Sequence, residues 1–303
     1  MANRPTDSEP AEPALQDASR RKFVAFSAAA GLAAYGGVSS GAQSAVVEKD
    51  VTIATADGNC DAAFFHPATG SHPGVLIWTD AFGLRPTFRE MGKRLAAQGY
   101  AVLVPNPFYR LQRAPVYTET EISSFDFQNP ASMAKIKHFM ASPAAPGAAE
   151  IDAKAFTGFL DAQAQVNPSL KLGTQGYCMG GALVMRTAAS VADRIGAGAS
   201  FHGGGLVTDK PDSPHLLAPK IKARMYIAIA SNDDQRQSEA KDTLRQAFDA
   251  AKVVADVEVY AGARHGWCVA DMPLQNGQPI FSMADAERAW SKLSGLYEKS
   301  LAA

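Results

Sequence analysis

Gly176-Tyr177-Cys178-Met179-Gly180-Gly181 is the stretch that decides the fold. Leu170-Lys171-Leu172-Gly173-Thr174-Gln175 before it is strand-like, and Ala182-Leu183-Val184-Met185-Arg186 after it opens a helix. The spacing predicts a sharp strand-to-helix elbow with Cys178 at its apex. Glycines flank the apex because the helix must approach the strand closely, leaving no room for a Cβ. The apex side chain is then pushed out over the end of the sheet, and the Met179 N–H points where an oxyanion could sit. The helix N-terminus behind it favours a thiolate. A lone cysteine is by default a small buried hydrophobe. The glycine pattern turns this one toward a nucleophile.

Outward from the elbow, strands and helices alternate. Val46–Thr55 and Cys60–His66 read as a hairpin around Asp57-Gly58-Asn59. Gly74–Trp78 and Tyr100–Val104 are continuous apolar runs, the mark of strands buried on both faces. Helical spacing marks Thr87–Gln98, with Phe88, Met91 and Leu95 on one face, and marks 131–141, 149–166, 238–250 and 284–299 as well. Strands are expected at 195–201, 223–230 and 253–260. The segment from Phe108 to Pro130 reads as a long irregular loop rich in Tyr and Phe, and loops of that length in a compact domain usually carry function. The alternation predicts an α/β fold, a mainly parallel sheet with helices on both faces. Ligands on such sheets bind at the carboxyl ends of the strands.

The first 44 residues are set apart. Arg20-Arg21-Lys22 precedes a small-residue apolar run from Phe26 to Val38, and Ala42-Gln43-Ser44 offers an A-x-A-like cleavage site. The pattern is that of a signal peptide, and the arginine pair resembles the twin-arginine (Tat) type. The run is too short and too rich in Gly, Ala and Ser for a bilayer span. The expectation is export through the Tat machinery to the periplasm, no stable membrane span after cleavage, and one domain over 45–303. In its 303 residues the formal charge is −1 and 47% are hydrophobic, enough for one sizeable core. No basic run or aromatic-plus-basic stripe points to nucleic acid. Nothing fixes an oligomeric state, and a monomer is the expectation. No zinc-type ligand cluster and no dinucleotide-binding loop is seen, so no metal or organic cofactor is expected. With three cysteines, Cys60, Cys178 and Cys268, an oxidising compartment leaves at least one thiol unpaired; Cys60 and Cys268 are the pair that would leave Cys178 free.

Chemistry at the strand ends is offered by Asp80, Cys178, Asp233 with Asp234, and His265. A thiol nucleophile needs a base, and the base needs an orienting carboxylate. Of the six histidines, only His265 follows the acidic pair, giving the order nucleophile, acid, histidine. Asp233 is preferred as the acid over Asp234, read as its solvated neighbour. His202, which also ends a strand, is read as pocket-lining or structural.

These motifs together resemble the dienelactone hydrolase family of α/β-hydrolases: Gly176-Tyr177-Cys178-Met179-Gly180-Gly181, Ser231-Asn232-Asp233, Gly262-Ala263-Arg264-His265-Gly266, Trp78-Thr79-Asp80-Ala81-Phe82-Gly83 and Pro105-Asn106-Pro107-Phe108-Tyr109-Arg110. The resemblance spans roughly 48–300. It implies an α/β-hydrolase fold and a catalytic triad of Cys178, Asp233 and His265. It also implies oxyanion donors at Met179 and Ala81, and an acid at Asp80 that modulates the nucleophile, where the family typically has Glu. Arg110, with Tyr109 and Trp267, would contact substrate, Arg110 through a substrate carboxylate. The family's second substrate arginine falls at Val269 here, which weakens the case for a small carboxylated dienelactone.

The expected activity is hydrolysis of a small-molecule carboxylic ester or lactone through a thioester acyl-enzyme, with acyl transfer as a subordinate outcome. A second function class is a non-catalytic periplasmic protein that binds small lipophilic or aromatic ligands on the same scaffold. A third, a thiol redox sensor using Cys178 and Cys268, lacks any C-x-x-C spacing.

Overall fold

The computed structural model describes residues 45–301. The signal-like segment around Arg20-Arg21 lies outside the described residues. The chain enters through a hairpin, β1 (Val46–Thr55) and β2 (Gly58–Pro67), whose turn uses Gly58 at φ +130°. Then follow β3 (Gly74–Trp78), α1 (Pro86–Ala97) and β4 (Ala101–Pro105). A connection holding α2 (Glu119–Ser123), α3 (Pro130–Ala141) and α4 (Ala148–Asp161) leads to β5 (Leu172–Tyr177), α5 (Met179–Ser190) and β6 (Ile195–Phe201). The remainder is a 3₁₀ turn at Pro214–Lys220, β7 (Arg224–Ala230), α6 (Ser231–Arg236), α7 (Ala240–Ala250), β8 (Ala255–Tyr260) and α8 (Met283–Leu301).

The eight strands form one sheet in the order β1-β2-β4-β3-β5-β6-β7-β8. The β1–β2 and β2–β4 pairs are antiparallel, and every other pair is parallel. Side chains alternate along the strands into two core layers. Phe64, Leu76, Trp78 and Leu103 meet α4, α5 and α7 through Phe156, Val184 and Phe248. Phe65, Val75, Ile77 and Val102 meet α1 and α8 through Phe88, Leu95, Leu293 and Tyr297. This is the α/β-hydrolase fold. Strands β3 and β5 are neighbours, but β3 is followed by α1 on one face and β5 by α5 on the other. Connections leaving opposite ways open a crevice at the carboxyl ends of these strands.

Three local differences from the sequence reading have physical causes. The Phe108–Pro130 segment is not wholly irregular: Thr118 caps α2 in a reciprocal capping box with Glu121, which satisfies two N–H groups at its start. Helix α4 ends at Asp161 rather than Val166, because Val166 is drawn into a bridge with His72. The polar Ser231-Asn232-Asp233-Asp234 run, read only as the end of the 223–230 strand, coils immediately into α6. Cys60 and Cys268 are free thiols buried in opposite core layers, with the sheet between them, so they do not pair. Among the described residues no helix is long and apolar enough to cross a membrane.

Candidate active site

Cys178 joins β5 to α5 at φ 55° and ψ −116°, a conformation that L-residues adopt only under constraint. The constraint is close packing on both sides. A Cβ on Gly176 would lie 2.2 Å from the Gly180 carbonyl oxygen. One on Gly180 would lie 2.7 Å from the carbonyl oxygens of Trp78 and Thr79. One on Gly181 would lie 2.3 Å from Ser200 Oγ and 2.6 Å from Gly203 Cα. The first turn of α5 is thereby pressed against the ends of β3 and β6. As the first helical residue, Met179 has an N–H with no partner inside its helix. The turn after β3, with Ala81, is beside it.

The apex backbone is tied to the end of β6. The Cys178 N–H is shared between the Phe201 carbonyl, at 3.1 Å, and His202 Nδ1, also at 3.1 Å. The Cys178 carbonyl accepts from the Gly181 and Gly204 N–H groups, each at 3.1 Å. His202 is fully buried at φ +41°, and its own N–H bonds to the Ala228 carbonyl at 2.8 Å. Because Nδ1 accepts, the neutral ring carries its proton on Nε2. That Nε2 is buried and finds no hydrogen-bond partner. Burial, and then the charge of His265, hold the His202 pKa well below the usual histidine value.

His265 comes from the loop after β8. Its backbone N–H bonds to Asn232 Oδ1 at 2.8 Å, and its Nδ1 lies 2.6 Å from Asp233 Oδ2. The Ser231 N–H and Oγ both donate to the Ala263 carbonyl, stitching the β7 exit to the same loop. Cys178 lies close enough to the imidazole to act on its charge. Burial opposes the charged ring, but the neighbouring Cys178 and Asp233 outweigh it and raise the pKa to about 10. Asp234 points elsewhere, to Lys241 Nζ at 2.7 Å.

The other expected site residues fall differently. Both carboxylate oxygens of Asp80 are taken by Arg85, at 2.6 and 2.9 Å, and Oδ1 also accepts the Phe82 N–H. Arg85 reaches on to Asp271 through Nε and Nη2, at 2.8 and 2.9 Å. The hydrogen bonds of Asp80 therefore run to this guanidinium rather than to the thiol. Arg110 is gripped by Asp152 through Nη1 and Nη2, and by Asp57. Tyr109 donates to Asp152 and meets Thr55. Both are built into the contact between α4 and the β1–β2 turn. Trp267 is fully buried, stacked on Tyr260 at 4.9 Å and edge-on to His202 at 5.1 Å. Val269 is buried too.

Arg85, Asp271 and Asn232 were not among the residues expected from the sequence, and His202 was expected only to line the pocket or to be structural. Asn232 had a readable signal, since it adjoins Asp233 in a strand exit. Arg85 and Asp271 had none, being brought together from positions far apart in the chain. Over the site lies an apolar cap. Ala81, Phe82, Phe125 and Met179 are part of one buried cluster, and Cys178 packs at its margin with Phe127, Met133, Met140 and Met272.

The sequence profile of the dienelactone hydrolase family matches residues 60–300. The chain belongs to the dienelactone hydrolase family. It is similar to a carboxymethylenebutenolidase of Rhodococcus opacus, 24% identical over 236 residues that cover 77% of this chain and 83% of the other. Among solved structures, a dienelactone hydrolase-like promiscuous phosphotriesterase from metagenomic libraries superposes with a TM-score of 0.68 at 23% identity, covering 85% of this chain and all of that one. The dienelactone hydrolase of Anabaena variabilis gives 0.57 at 16% identity, covering 85% and 99%. Membership makes the protein a hydrolase of the carboxymethylenebutenolidase-like class.

Proposed function

We propose that this dienelactone hydrolase family member cleaves carboxylic esters or lactones with Cys178 as nucleophile, His265 as acid and base, and Asp233 as the group that orients His265. The observation that carries the reading is the chain of contacts from the Cys178 side chain to His265, and from His265 Nδ1 to Asp233 Oδ2 at 2.6 Å. It begins at a residue held in a strained turn.

The steps follow from the charges. The reaction starts from the thiolate of Cys178 and the imidazolium of His265. The thiolate sulfur attacks the carbonyl carbon, and the carbonyl π electrons move to oxygen. The N–H groups of Met179 and Ala81 receive that oxyanion; one such donor is worth about 3–4 kcal/mol. As the tetrahedral species collapses, the C–O bond breaks and His265 gives its proton to the departing alkoxide. The neutral imidazole then takes a proton from water, which attacks the thioester. Collapse expels the thiolate, and the acid product leaves with the resting pair restored. Asp233 holds His265 in the tautomer that presents Nε2 to sulfur and stabilises the imidazolium.

The reading includes export, supported by Arg20-Arg21 and the small-residue run after it. Fractionation of cells that express wild type beside Arg20→Lys/Arg21→Lys tests it: periplasmic protein lost in the variant supports twin-arginine export, and equal export opposes it.

The activity is tested with p-nitrophenyl esters and a small lactone panel, using wild type beside Cys178→Ala. Turnover lost in the variant supports the nucleophile. Equal turnover removes Cys178 from the mechanism, and a thiol that labels readily without turning over any ester favours a binding protein.

A further inference from the structure

We propose that the acyl group accepted by this site is uncharged and apolar, an alkyl or aryl ester or lactone carrying no carboxylate of its own. The inference rests on Cys178 being the nucleophile and adds the substrate class.

The first observation is the apolar wall against which Cys178 packs. Phe82, Phe125 and Phe127 meet edge to face, with ring centres 5.0 Å apart at both contacts. Met133, Met140, Met272 and Cys178 each pack against the same cluster. Thioether side chains are flexible and polarisable, and suit apolar groups of varied shape. A carboxylate brought into such a wall loses its hydration and gains no donor.

The second observation is independent: Arg85 and Arg110, the arginines that follow β3 and β4, are already neutralised. Arg85, 1% exposed, is shared between Asp80 and Asp271. Arg110 is shared between Asp57 and Asp152, and the Asp152 carboxylate is wholly buried. Lys135 lies 4.2 Å over the Tyr117 ring and pairs with Glu121. To bind a substrate carboxylate, Arg85 or Arg110 would have to leave a buried aspartate unpaired, which costs more than the new pair returns. The position four residues after His265 is the buried Val269. The His265 ring is already held by Asp233 at 2.6 Å.

The test compares two esters of equal acyl length, p-nitrophenyl hexanoate and the mono-p-nitrophenyl ester of adipic acid, on wild type, Cys178→Ala, Arg110→Met and Met133→Lys. For wild type, kcat/KM for the hexanoate should exceed that for the charged ester by about tenfold or more, as expected when a carboxylate is desolvated without a partner. The ratio should be unchanged in Arg110→Met. It should shrink about fivefold or more in Met133→Lys, which adds a free cation to the margin of the cluster that Cys178 packs against. Ratios within one protein are independent of how much of it folds. Cys178-dependent turnover with equal or better use of the charged ester overturns the inference and leaves the nucleophile standing. Selective loss of the charged ester in Arg110→Met also overturns it. Turnover of both esters that survives Cys178→Ala overturns the inference together with the nucleophile, as does no turnover of either.

Discussion

His202 Nδ1 accepts the backbone N–H of Cys178 at 3.1 Å, so a neutral imidazole holds the turn that carries the sulfur. The two histidine rings, His202 and His265, lie 4.9 Å apart, and only His265 is charged. Protonating His202 would place a hydrogen on the atom that now accepts from Cys178 and would put two cations side by side. Replacing His202 with Ala should lower kcat about ten- to a hundredfold while KM changes less than about twofold, because a nucleophile displaced by an ångström loses rate rather than binding. His202→Asn should recover part of the loss, since its side-chain oxygen can accept and Asn tolerates the positive φ at this position. A drop in melting temperature with kcat intact would reduce His202 to a packing residue.

The raised His265 pKa sets a direction with pH. Its ordinary value is 6.5 and its folded value is about 10, so the charged form is favoured in the folded protein. The stability it contributes is full below the unfolded value and is lost as pH rises through the folded value. Thermal unfolding of wild type and Cys178→Ala, followed from about pH 7 to about pH 10, should show the wild-type advantage shrinking toward the alkaline end. The alkaline limb of kcat/KM should fall near pH 10 and move to lower pH in Asp233→Asn. A limb already complete near neutrality would mean that the resting pair is neutral.

Asp233 and Asp234 are adjacent but do different things. Asp233 meets His265 at 2.6 Å and Asp234 meets Lys241 at 2.7 Å. Changing Asp233 to Asn should cost roughly a hundred- to ten-thousandfold in kcat, as expected when the histidine tautomer is lost. The same change at Asp234 should stay within about twofold, because a partly exposed ion pair contributes little. Steady-state kinetics on both variants decide it, and similar losses in the two would reassign the orienting acid.

Arg85 joins the turn after β3 to the His265 loop by bridging Asp80 and Asp271. Its guanidinium also sits 5.4 and 5.0 Å from the Phe82 and Phe88 rings. Arg85→Met should destabilise the protein by about 3–5 kcal/mol in urea unfolding, because Asp80 is left buried without its partner. The double variant Arg85→Met/Asp80→Asn should regain part of that. If the single variant costs less than about 1 kcal/mol, Asp80 has another partner and the bridge is incidental.

Most of the architecture was legible because local patterns carried it. The apolar runs read at Gly74–Trp78 and Tyr100–Val104 marked central strands, and the strands found there, Gly74–Trp78 and Ala101–Pro105, are buried throughout. The Gly-x-Cys-x-Gly-Gly spacing marked an elbow, and close approach of backbone to backbone is what each glycine serves. Chain order brought His265 and the Asp233–Asp234 pair forward as candidates. What stayed hidden were partners. An arginine a few residues after a strand looks the same in sequence whether it waits for a substrate or is saturated by two aspartates, which is why the family resemblance could make Arg110 a carboxylate clamp. Trp267 read as a substrate contact for the same reason: burial is a property of the whole packed layer.

The sequence alone determined the alternation of strand and helix, the elbow and the residue types that can do acyl chemistry, since backbone sterics and hydrophobic periodicity act over a few neighbours. Only the tertiary structure decided which charges neutralise which. Asp80 with Arg85 and Asp271, Arg110 with Asp57 and Asp152, and His202 beneath Cys178 are contacts between separate elements. Their pairing depends on distance and burial in the folded chain, where an unpaired buried charge is costly and a paired one is no longer available to a ligand.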